Sequence, residues 1–391
     1  MTTNTEKKFQ KTESKKILHT FAAASFLNDL GSDMIYPIWP LFIRFTLGAN
    51  MTILGLLDGI GDAVVSLSQA VSGYYSDKSG KRKIFIWTGY TMGALSRIGY
   101  ALSTTWAMVL PFRILDRAGK IRGAPRDAII ADISTGANRG KNFGLLRTAD
   151  HFGAVLGILL CLLLIRFSGF TTIFLLAALP SLIGVSLILI KIKDRPAHEI
   201  KVFKGISLAD LSIDFKRFLV LSAAFSTGWF SYSFLLLFAK DVGYSIQTVP
   251  VFYLLFTVVA AFTSYPFGYL ADRWGRKMVI GLGFLFWMLA CLSFIWSRHL
   301  AVVILVFIFY GLSRAALETA QKAFVSELCP PEHRASSLGG FQMIVGLCAL
   351  PASLIAGVLW DMVGREAPLI FSLVLTVISL LLLLRVKENK V

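Results

Sequence analysis

The chain carries one motif twice, as Gly73-Tyr-Tyr-Ser-Asp77-Lys-Ser-Gly80-Lys81-Arg82 and as Gly268-Tyr-Leu-Ala-Asp272-Arg273-Trp-Gly275-Arg276-Lys277. The two copies lie 195 positions apart in a chain of 391 residues, and each stands between two long apolar stretches. The same offset maps Arg139 onto Arg334, Gly144 onto Gly339 and Asp132 onto Glu327. The sequence therefore predicts an internally duplicated membrane protein made of two related halves.

Composition places the chain in a lipid bilayer. Hydrophobic residues make up 55% of it and charged residues only 16%, too few to cover a soluble domain. The net charge is +16, but the Lys and Arg residues stand mostly in alternate short loops, which is an orientation signal and argues against a nucleic-acid partner. Single, scattered cysteines predict no disulfide and no metal site, and we expect no cofactor. They are Cys161, Cys291, Cys329 and Cys348.

Twelve stretches reach the length of about 20 mostly apolar residues that a spanning helix needs. The predicted fold is an all-α polytopic membrane protein with two pseudo-symmetric six-helix bundles (6+6). Crossings 1, 4, 5 and 10 carry enough charge to fall below a hydropathy threshold, and we include them because the repeat requires them. The predicted crossings are 18–44, 52–73, 84–104, 107–132, 142–166, 170–191, 217–239, 247–270, 278–297, 300–326, 337–361 and 367–386.

These crossings divide the chain into a first bundle at 1–191, a connecting loop at 192–216 and a second bundle at 217–391. Within the loop, Ser207-Leu-Ala-Asp210 resembles a helix-start capping box, so we expect a short helix on the membrane surface. An even number of crossings puts both termini on the same side as the duplicated loops. Most loop Lys and Arg residues fall there, which predicts a cytoplasmic location for that side and an inner-membrane protein.

The doubled G-x-x-x-D-x-x-G-[RK]-[RK] motif, between crossings 2 and 3 and between crossings 8 and 9, resembles the major facilitator superfamily. The resemblance covers essentially the whole chain. The run from Arg113 to Asp127 is similar to a bacterial and archaeal branch near its drug-exporter-like members. The resemblance implies a secondary transporter in which the two halves rock about a site near the bilayer midplane.

In this family the motif aspartate meets a helix N-terminus of the opposite half and nearby arginines, which closes the cytoplasmic side. The resemblance implies that Asp77 and Arg82 form such a latch, with Asp272 and Arg276 as a weaker counterpart. A carboxylate at a partly buried helix N-terminus contributes up to ~2 kcal/mol. The alternative is that the loops only fix the topology through their positive charge. The motif glycines, which permit a tight turn between two helices, are Gly73, Gly80, Gly268 and Gly275.

Charged residues inside the predicted crossings are the candidates for the transport chemistry. In crossing 4, Arg113, Asp116, Arg117, Lys120 and Asp127 fall at i, i+3, i+4, i+7 and i+14, one stripe along a helix. By helical rise, Arg113 lies roughly 10 Å and Lys120 roughly 20 Å into the membrane. Each charge facing lipid costs ~2.5–3.5 kcal/mol, so the stripe is expected to face a wet or protein-lined interior.

Further charged or polar residues interrupt crossings 1, 2, 5 and 10. In the first half the acids and bases nearly balance, which indicates mutual pairing, and we expect ion coupling and polar substrate contacts to concentrate there. The residues are Asp29, Asp33 and Tyr36 in crossing 1, Asp58 and Asp62 in crossing 2, Arg147, Asp150 and His151 in crossing 5, and Arg314 and Glu318 in crossing 10. Trp229, Tyr232, Phe234 and Tyr253 either shape the opposing wall or serve helix packing and the interfacial belt.

A carboxyl that changes partners during transport can bind and release a proton, because burial raises the pKa of a carboxyl and a neighbouring cation lowers it. Asp33, close to the helix-bending Pro37, is the first candidate and Asp29 the second. The alternative is a permanent salt bridge, for instance to Arg113 or Arg117. His151 could relay protons or simply make a hydrogen-bonded helix contact.

Where this chain departs from the family pattern, the resemblance supports fewer expectations about function. Arg113 stands where many members have an arginine implicated in proton coupling, but the Gln-Gly that follows it there reads Asp116-Arg117 here. The segment Gly153-Ala-Val-Leu-Gly157 lacks the proline of the antiporter signature. The sugar-porter motif is absent, which argues against sugar uptake.

The sequence thus predicts a monomeric, lipid-embedded transporter that couples protons to the export of a small polar or drug-like organic solute. The alternatives are transport of a metal chelate, siderophore or small organic anion, and uptake in place of export. An enzyme is not expected, because no nucleophile, acid-base or metal-ligand group stands near an interface. A sensor that has lost transport is disfavoured because the gating motif is intact.

Overall fold

A computed structural model describes residues 4–134, 138–193, 212–329 and 334–388, and every regular element among them is helical. A π-helical turn at Phe42–Thr46 follows α2, and a 3-10 turn at Gly119–Arg122 joins α5 to α6. The helices are α1 (Asn4–Ile35), α2 (Trp39–Leu41), α3 (Met51–Ser79), α4 (Arg82–Leu102), α5 (Trp106–Ala118), α6 (Gly123–Asp132), α7 (Arg139–Leu164), α8 (Phe170–Lys191), α9 (Ile213–Gly228), α10 (Tyr232–Asp241), α11 (Val249–Trp274), α12 (Arg276–Trp296), α13 (Leu300–Leu328), α14 (Arg334–Met362) and α15 (Ala367–Leu384).

With the interrupted helices counted as single crossings, the described residues form twelve crossings, six before and six after residues 194–211. The predicted all-α, 6+6 architecture is confirmed. The helix expected on the membrane surface around Ser207 falls on residues outside the described part and stays a prediction, as do the boundaries of the connecting loop.

Nine spans among the described residues are long and apolar enough to cross a membrane. The prediction that crossings 5 and 10 would fall below the threshold is wrong, because the charges of α7 and α13 lie towards one end and leave an uninterrupted apolar stretch. The spans that do fall short are α1, α4 and the pair α5 and α6. In α4, Arg97 and several Gly, Ser, Thr and Tyr residues together lower the mean hydropathy of the helix.

Three predicted continuous crossings are interrupted. Crossing 1 ends as α1 at Ile35, just before Pro37, because proline has no N–H to continue the helical ladder and restricts the residue before it. Crossing 4 changes to a 3-10 turn after α5. Crossing 7 is broken between Gly228 and Tyr232, where the side chain of Ser231 caps α10 by accepting a 3.2 Å hydrogen bond from the backbone N–H of Ser233.

The chain packs as two compact units. The first comprises Met1–Ile38 and Leu67–Val202. In it α1 packs on α7 and α8, while α4 packs on α5 and α8. Phe21, Ala24 and Tyr90 lie at the centre of its core and are fully buried.

The second unit comprises Trp39–Ser66 and Phe203–Val391. In it α13 packs on α11 and α12, and α9 packs on α14 and α15. The segment Trp39–Ser66, which contains α2, the π-helical turn and the first part of α3, precedes the midpoint of the chain but packs with the helices that follow it. The unit therefore includes contacts that the repeat alone does not predict.

Candidate functional site

A first group of charged residues, here called the α5 cluster, consists of Arg113, Asp116 and Arg117 on α5 together with Tyr36 after α1. Arg113 and Arg117 are buried, with 2% and 9% of their surface exposed. Nη1 of Arg117 donates to the Tyr36 hydroxyl at 3.4 Å, and its guanidinium lies 5.0 Å from the ring centre, a cation–π contact. Oδ2 of Asp116 lies 3.6 Å from Nε of Arg117.

The 3-10 turn after α5 changes the predicted stripe. A Cβ on Gly119 would lie 2.7 Å from the carbonyl oxygen of Gly89 on α4, so the two glycines allow the backbones to touch. Because the 3-10 turn has a different periodicity from an α-helix, residues beyond it no longer continue the face of Arg113. The prediction of one stripe from Arg113 to Asp127 is therefore wrong at its far end: Lys120 lies half-buried in the turn, and Asp127 belongs to a different group.

That second group, here called the α7 cluster, consists of Ser25, Arg126, Asp127, Arg147 and Asp150. The Ser25 hydroxyl donates to Oδ1 of Asp150 and accepts a 2.7 Å hydrogen bond from Nη1 of Arg126. Nε of Arg126 donates to Asp127 at 3.0 Å, and Nη1 of Arg147 donates to Asp150 at 3.3 Å. Asp150 and Arg126 are both more than nine-tenths buried. The cluster pairs two cations with two anions, as the charge balance of the first half predicts.

Asp29 and Asp33 lie on α1 between the two clusters. Ser25, Asp29 and Asp33 are spaced at i, i+4 and i+8, and Tyr36 follows at i+11, so all four share one face over roughly 16 Å. Both aspartates are half-buried, and Asp29 accepts a 3.0 Å hydrogen bond from Nδ2 of Asn28. Polar groups therefore line this face of α1 over the whole distance between the α7 cluster and the α5 cluster.

His151 lies outside these groups. Its side chain is exposed, and it forms no hydrogen bond or ion pair with any residue that the structure describes. The predicted proton relay through His151 has no contact to support it.

Arg97 on α4 is a buried charge that the motif and stripe analysis misses. Only 1% of its surface is exposed. Nη1 donates to the carbonyl oxygen of Ala177 at 2.7 Å and to the Ser181 hydroxyl, and Nη2 donates to the Ser32 hydroxyl at 2.8 Å and the carbonyl oxygen of Asn28 at 3.1 Å. Arg97 thus ties α4 to α1 and α8. The sequence feature that could have identified Arg97 is a lone arginine within an otherwise apolar crossing.

In the second unit, Asp58 on α3 is almost completely buried, with 1% of its surface exposed. Nε1 of Trp39 donates to Oδ1 at 2.8 Å, and the Ser231 hydroxyl donates to Oδ2 at 2.7 Å. Ser231 also caps α10, so the carboxylate lies next to the positive N-terminal end of that helix. Asp62, one turn along α3, is half-buried.

Arg314 and Glu318 form the predicted pair on α13, with 2.8 Å between Nε and Oε1. Their side chains are 40% and 58% exposed, much more than the charged groups of the first unit. The predicted aromatic residues pack among other rings: the Trp229 ring centre lies 4.7 Å from that of Trp287, and that of Tyr232 lies 5.2 Å from that of Tyr253. Phe234 is fully buried.

An arginine of each duplicated loop pairs with an acid, and the two acids are repeat-related. Arg82 pairs with Asp132, and Arg276 pairs with Glu327; these two acids are the repeat-related positions at the ends of α6 and α13. Asp272 is 73% exposed and lies 3.4 Å from Arg276. The Asp77 side chain is outside the described part, so its latch role stays a prediction.

The motif glycines differ in what they do. Gly80 and Gly275 have φ angles of +66° and +105°, which favour glycine and explain the turns that precede α4 and α12. Gly73 and Gly268 lie within α3 and α11 and have ordinary helical backbones. Their replacement by alanine would create no close contact with backbone atoms, since the nearest atom to a Cβ at Gly73 is the Ala124 side chain at 3.6 Å.

The segment after α15 covers the second loop. Oε1 of Glu388 accepts from the backbone N–H of Arg276 at 2.5 Å and of Lys277 at 3.4 Å, which places a carboxylate at the N-terminus of α12. Nζ of Lys277 donates to the carbonyl oxygen of Val386 at 2.8 Å. In the first repeat, the position 195 residues before Glu388 is Lys193, a cation.

These features define a duplicated, polytopic helical membrane protein with buried charge networks. Sequence comparison then gives the family: the Major Facilitator Superfamily model matches residues 21–252 and 217–391. An uncharacterized MFS-type transporter of Methanocaldococcus jannaschii is 37% identical over 382 residues, which is 95% of each chain. The chain belongs to the major facilitator superfamily and is a transporter of that class.

More distant relatives include the class H tetracycline resistance protein of Pasteurella multocida, 24% identical over 71% of this chain and 72% of its own. The fold matches that of a bacterial homolog of the human lysosomal transporter Spinster, with a TM-score of 0.77 and 15% identity over 95% of this chain and 96% of that one. The nucleoside transporter NupG (D323A mutant) matches with a TM-score of 0.76 and 15% identity over 95% and 100%.

Proposed function

We propose that the chain is a proton-coupled secondary transporter that exports a small polar or drug-like organic solute across the inner membrane. The observation that supports this proposal most strongly is the position of Asp29 and Asp33, which lie on one face of α1 between the α7 and α5 clusters. Burial favours the protonated form of a carboxyl group and a neighbouring cation favours the ionised form, so the preference of such a group changes when its surroundings change. Such a group can couple proton binding to a conformational cycle.

Alternating access requires that solute and proton bind the two states with different affinity. Asp33 is the first candidate for the coupling carboxylate, because it stands three residues before Tyr36, which contacts Arg117. Asp29 is the second candidate. Asp150 is held by Ser25, Arg126 and Arg147, and a carboxylate with that many partners suits a structural role better than a mobile one.

Export is favoured over uptake by the partial similarity to a tetracycline resistance protein, whose name describes protection from a drug. The charged groups favour a polar or ionic solute, because buried fixed charges need charged or hydrogen-bonding partners.

A small organic anion or metal chelate is the second candidate solute. The α5 cluster contains two buried arginines and one carboxylate, so its net charge is positive, and guanidinium groups bind carboxylate and phosphate in a bidentate manner. Uptake of such an anion would use the same inward proton gradient, with the proton and the anion moving in the same direction.

The remaining proposals concern the oligomeric state of the protein, its topology and its gating. We propose a monomer with both termini in the cytoplasm, since the arginine- and lysine-rich duplicated loops are expected to stay on that side. The intact ion pairs of both loops support a gated transporter over a receptor that has lost transport.

Comparison of metabolites between cells that contain and lack the protein tests the proposal. We expect at least one polar organic solute to accumulate in cells that lack it, and inverted membrane vesicles to concentrate that solute when their lumen is acidic. An anionic solute would favour the second candidate. Vesicles that concentrate the solute without any proton gradient would contradict proton coupling.

A further inference from the structure

We propose that Arg44, Lys240 and Arg365 bind the phosphate group of an anionic phospholipid on the side of the membrane opposite the duplicated loops. These three cations and Asp241 are here called the α10 patch, and all four residues belong to the second unit. The patch is separate from the α5 and α7 clusters. Lipid binding there does not depend on which solute is transported.

Cations are scarce at the helix ends and connections on this side of the membrane, as the positive-inside rule predicts. In the described part of the chain, the lysines and arginines there are Arg44, Arg166, Lys240, Arg298 and Arg365. Arg166 lies in the first unit and the other four lie in the second. Because this side generally lacks cations, a group of them is expected to have a negatively charged partner.

Contacts at the end of α10 bring three of these cations together. Nζ of Lys240 lies 5.6 Å from the centre of the Phe45 ring. The guanidinium of Arg365 lies 5.4 Å from the centre of the Phe238 ring, two positions before Lys240. Arg44 is the neighbour of Phe45 in the chain. Three segments that are far apart in sequence therefore place positive charges around the end of one helix.

The α10 patch has more positive than negative charge. Asp241 is within electrostatic range of all three cations, but its side chain forms no hydrogen bond or ion pair with any residue that the structure describes. Nη1 of Arg44 donates to the carbonyl oxygen of Ala49 at 3.1 Å. Within the described ranges, neither Arg44 nor Lys240 contacts a carboxylate. One carboxylate among three cations leaves an excess of positive charge for an anion.

The neighbouring carboxylates have other partners. Oε1 of Glu366 lies 3.1 Å from Nη2 of Arg298 and 3.6 Å from Nε of Arg365, so two cations share it. Asp361 accepts hydrogen bonds from the first backbone N–H groups of α3. Glu366 thus balances only part of the charge of Arg365, and Asp361 is held by a helix end.

The α10 patch lies at the ends of membrane crossings. Candidate spans cover Ile213–Asp241, Ser337–Met362 and Ala367–Leu384, so Lys240 stands at the end of one span and Arg365 between the other two. Phospholipid phosphates lie at this level, just outside the hydrocarbon core. Basic residues at this level bind anionic head groups, and a guanidinium binds phosphate oxygens in a bidentate manner.

Exposed apolar side chains accompany the cations and favour a lipid over a soluble anion. Phe45 is 47% exposed, Met362 80% and Val363 73%. A lysine stem over an aromatic ring is typical of side chains that extend along apolar surface while the charged group stays in the polar layer. A phospholipid can place its glycerol and upper acyl carbons on these apolar groups, whereas inorganic phosphate gains nothing from them.

Thermal unfolding of the purified protein tests the site in the absence of solute. Protein in a neutral detergent is titrated with phosphatidylglycerol, which is anionic, or with phosphatidylcholine, which is zwitterionic. The rise in unfolding temperature with lipid content gives the apparent affinity. The variants are Arg44→Gln, Lys240→Gln and Asp241→Asn. The matched control is Arg166→Gln, which removes an exposed cation on the same side of the membrane in the first unit.

We expect phosphatidylglycerol to stabilise the parent protein and phosphatidylcholine to have little effect. Arg44→Gln and Lys240→Gln should each weaken the apparent affinity for phosphatidylglycerol about fivefold, and Arg166→Gln should leave it unchanged. Asp241→Asn should strengthen this affinity about two- to fivefold, because it removes the carboxylate that repels the phosphate. A purely structural ion network predicts no gain in affinity for Asp241→Asn.

Equal stabilisation by the two lipids would overturn the proposal, as would an unchanged or weaker affinity in Asp241→Asn. The sign of the Asp241→Asn effect decides the matter even if both glutamine variants fail to fold. A third titration uses inorganic phosphate, and stabilisation as strong as that by phosphatidylglycerol would overturn the assignment to a lipid. Because no solute is present, none of these results affects the proposed transport function.

Discussion

Trp39 and Asp58 are joined by a 2.8 Å hydrogen bond from the indole Nε1 to Oδ1, within a site where each residue is at most 1% exposed. The bond links the short helix α2 to α3, and the other carboxylate oxygen binds Ser231 at the break before α10. One buried carboxylate thus holds together two segments before the midpoint of the chain and the start of a helix after it.

Asp58→Asn should destabilise the protein. The amide keeps an acceptor oxygen for Trp39 but presents its NH₂ group where the Ser231 hydroxyl donates, so Ser231 loses the acceptor of its hydroxyl proton. An unsatisfied buried hydrogen-bonding group costs about 1–3 kcal/mol. Thermal unfolding in detergent measures the loss. Trp39→Phe, which removes the indole donor, should cost a similar amount, and an Asp58→Asn protein as stable as the parent would contradict the bonding described here.

Arg97 is predicted to stabilise the folded protein through its buried hydrogen bonds. Arg97→Met removes the donors to Ser32, Ser181 and the carbonyl oxygens of Asn28 and Ala177, so a loss on the order of 3 kcal/mol is expected. Arg97→Lys should recover only part of it, because an ammonium group lacks the planar fork.

Thermal unfolding of both variants checks this. Arg113→Met serves as a comparison, since it also removes a buried guanidinium from a neighbouring helix. If Arg97→Met unfolds at the temperature of the parent, Arg97 is not the tie between α1, α4 and α8.

Much of the fold follows from the sequence, because a 195-residue repeat and about 20-residue apolar stretches report directly on crossings. The acids that pair with Arg82 and Arg276, Asp132 and Glu327, are related by the same repeat. Mean hydropathy still identifies α7 and α13 as spans, because their charges lie towards one end of each helix.

The interruptions of the helices are less predictable. The 3-10 turn after α5 depends on contact between Gly119 and Gly89, residues far apart in sequence. Periodicity alone assumes a continuous helix, so it joined Asp127 to Arg113 although the two residues belong to different clusters. The packing of Trp39–Ser66 with later helices likewise depends on tertiary contacts, above all those of Asp58 and Asp361.

Glu388, in the segment after α15, should protect the backbone amides at the start of α12 from hydrogen exchange. Glu388→Ala removes the acceptor of the Arg276 and Lys277 backbone N–H groups, and a charged hydrogen bond contributes about 1.5–3 kcal/mol when it is well formed. Hydrogen exchange of these two amides should accelerate about tenfold or more. Glu366→Ala, at a different loop, is the control. Unchanged exchange at residues 276 and 277 would show that the tail does not hold this loop.

The topology predicts that both duplicated loops face the cytoplasm. Lys78 and Arg273 are exposed and repeat-related, so a cysteine at either position should react only when the reagent reaches the inside of the cell. A cysteine at His299, between α12 and α13, should react from outside. Labelling of intact cells and inverted vesicles compares the three positions, and reaction of positions 78 and 273 from opposite faces is the result that the topology forbids.

Proton movement on addition of the solute is the most direct test of the account. In sealed vesicles without an imposed pH gradient, the solute is added on one side. Its flux through the parent protein should then move protons in a measurable, stoichiometric amount. Asp33→Asn or Arg113→Ala should abolish this coupling while the protein still inserts, and Glu366→Gln should retain it. Full proton-coupled transport in both Asp33→Asn and Arg113→Ala would contradict the assignment of coupling to the polar face of α1.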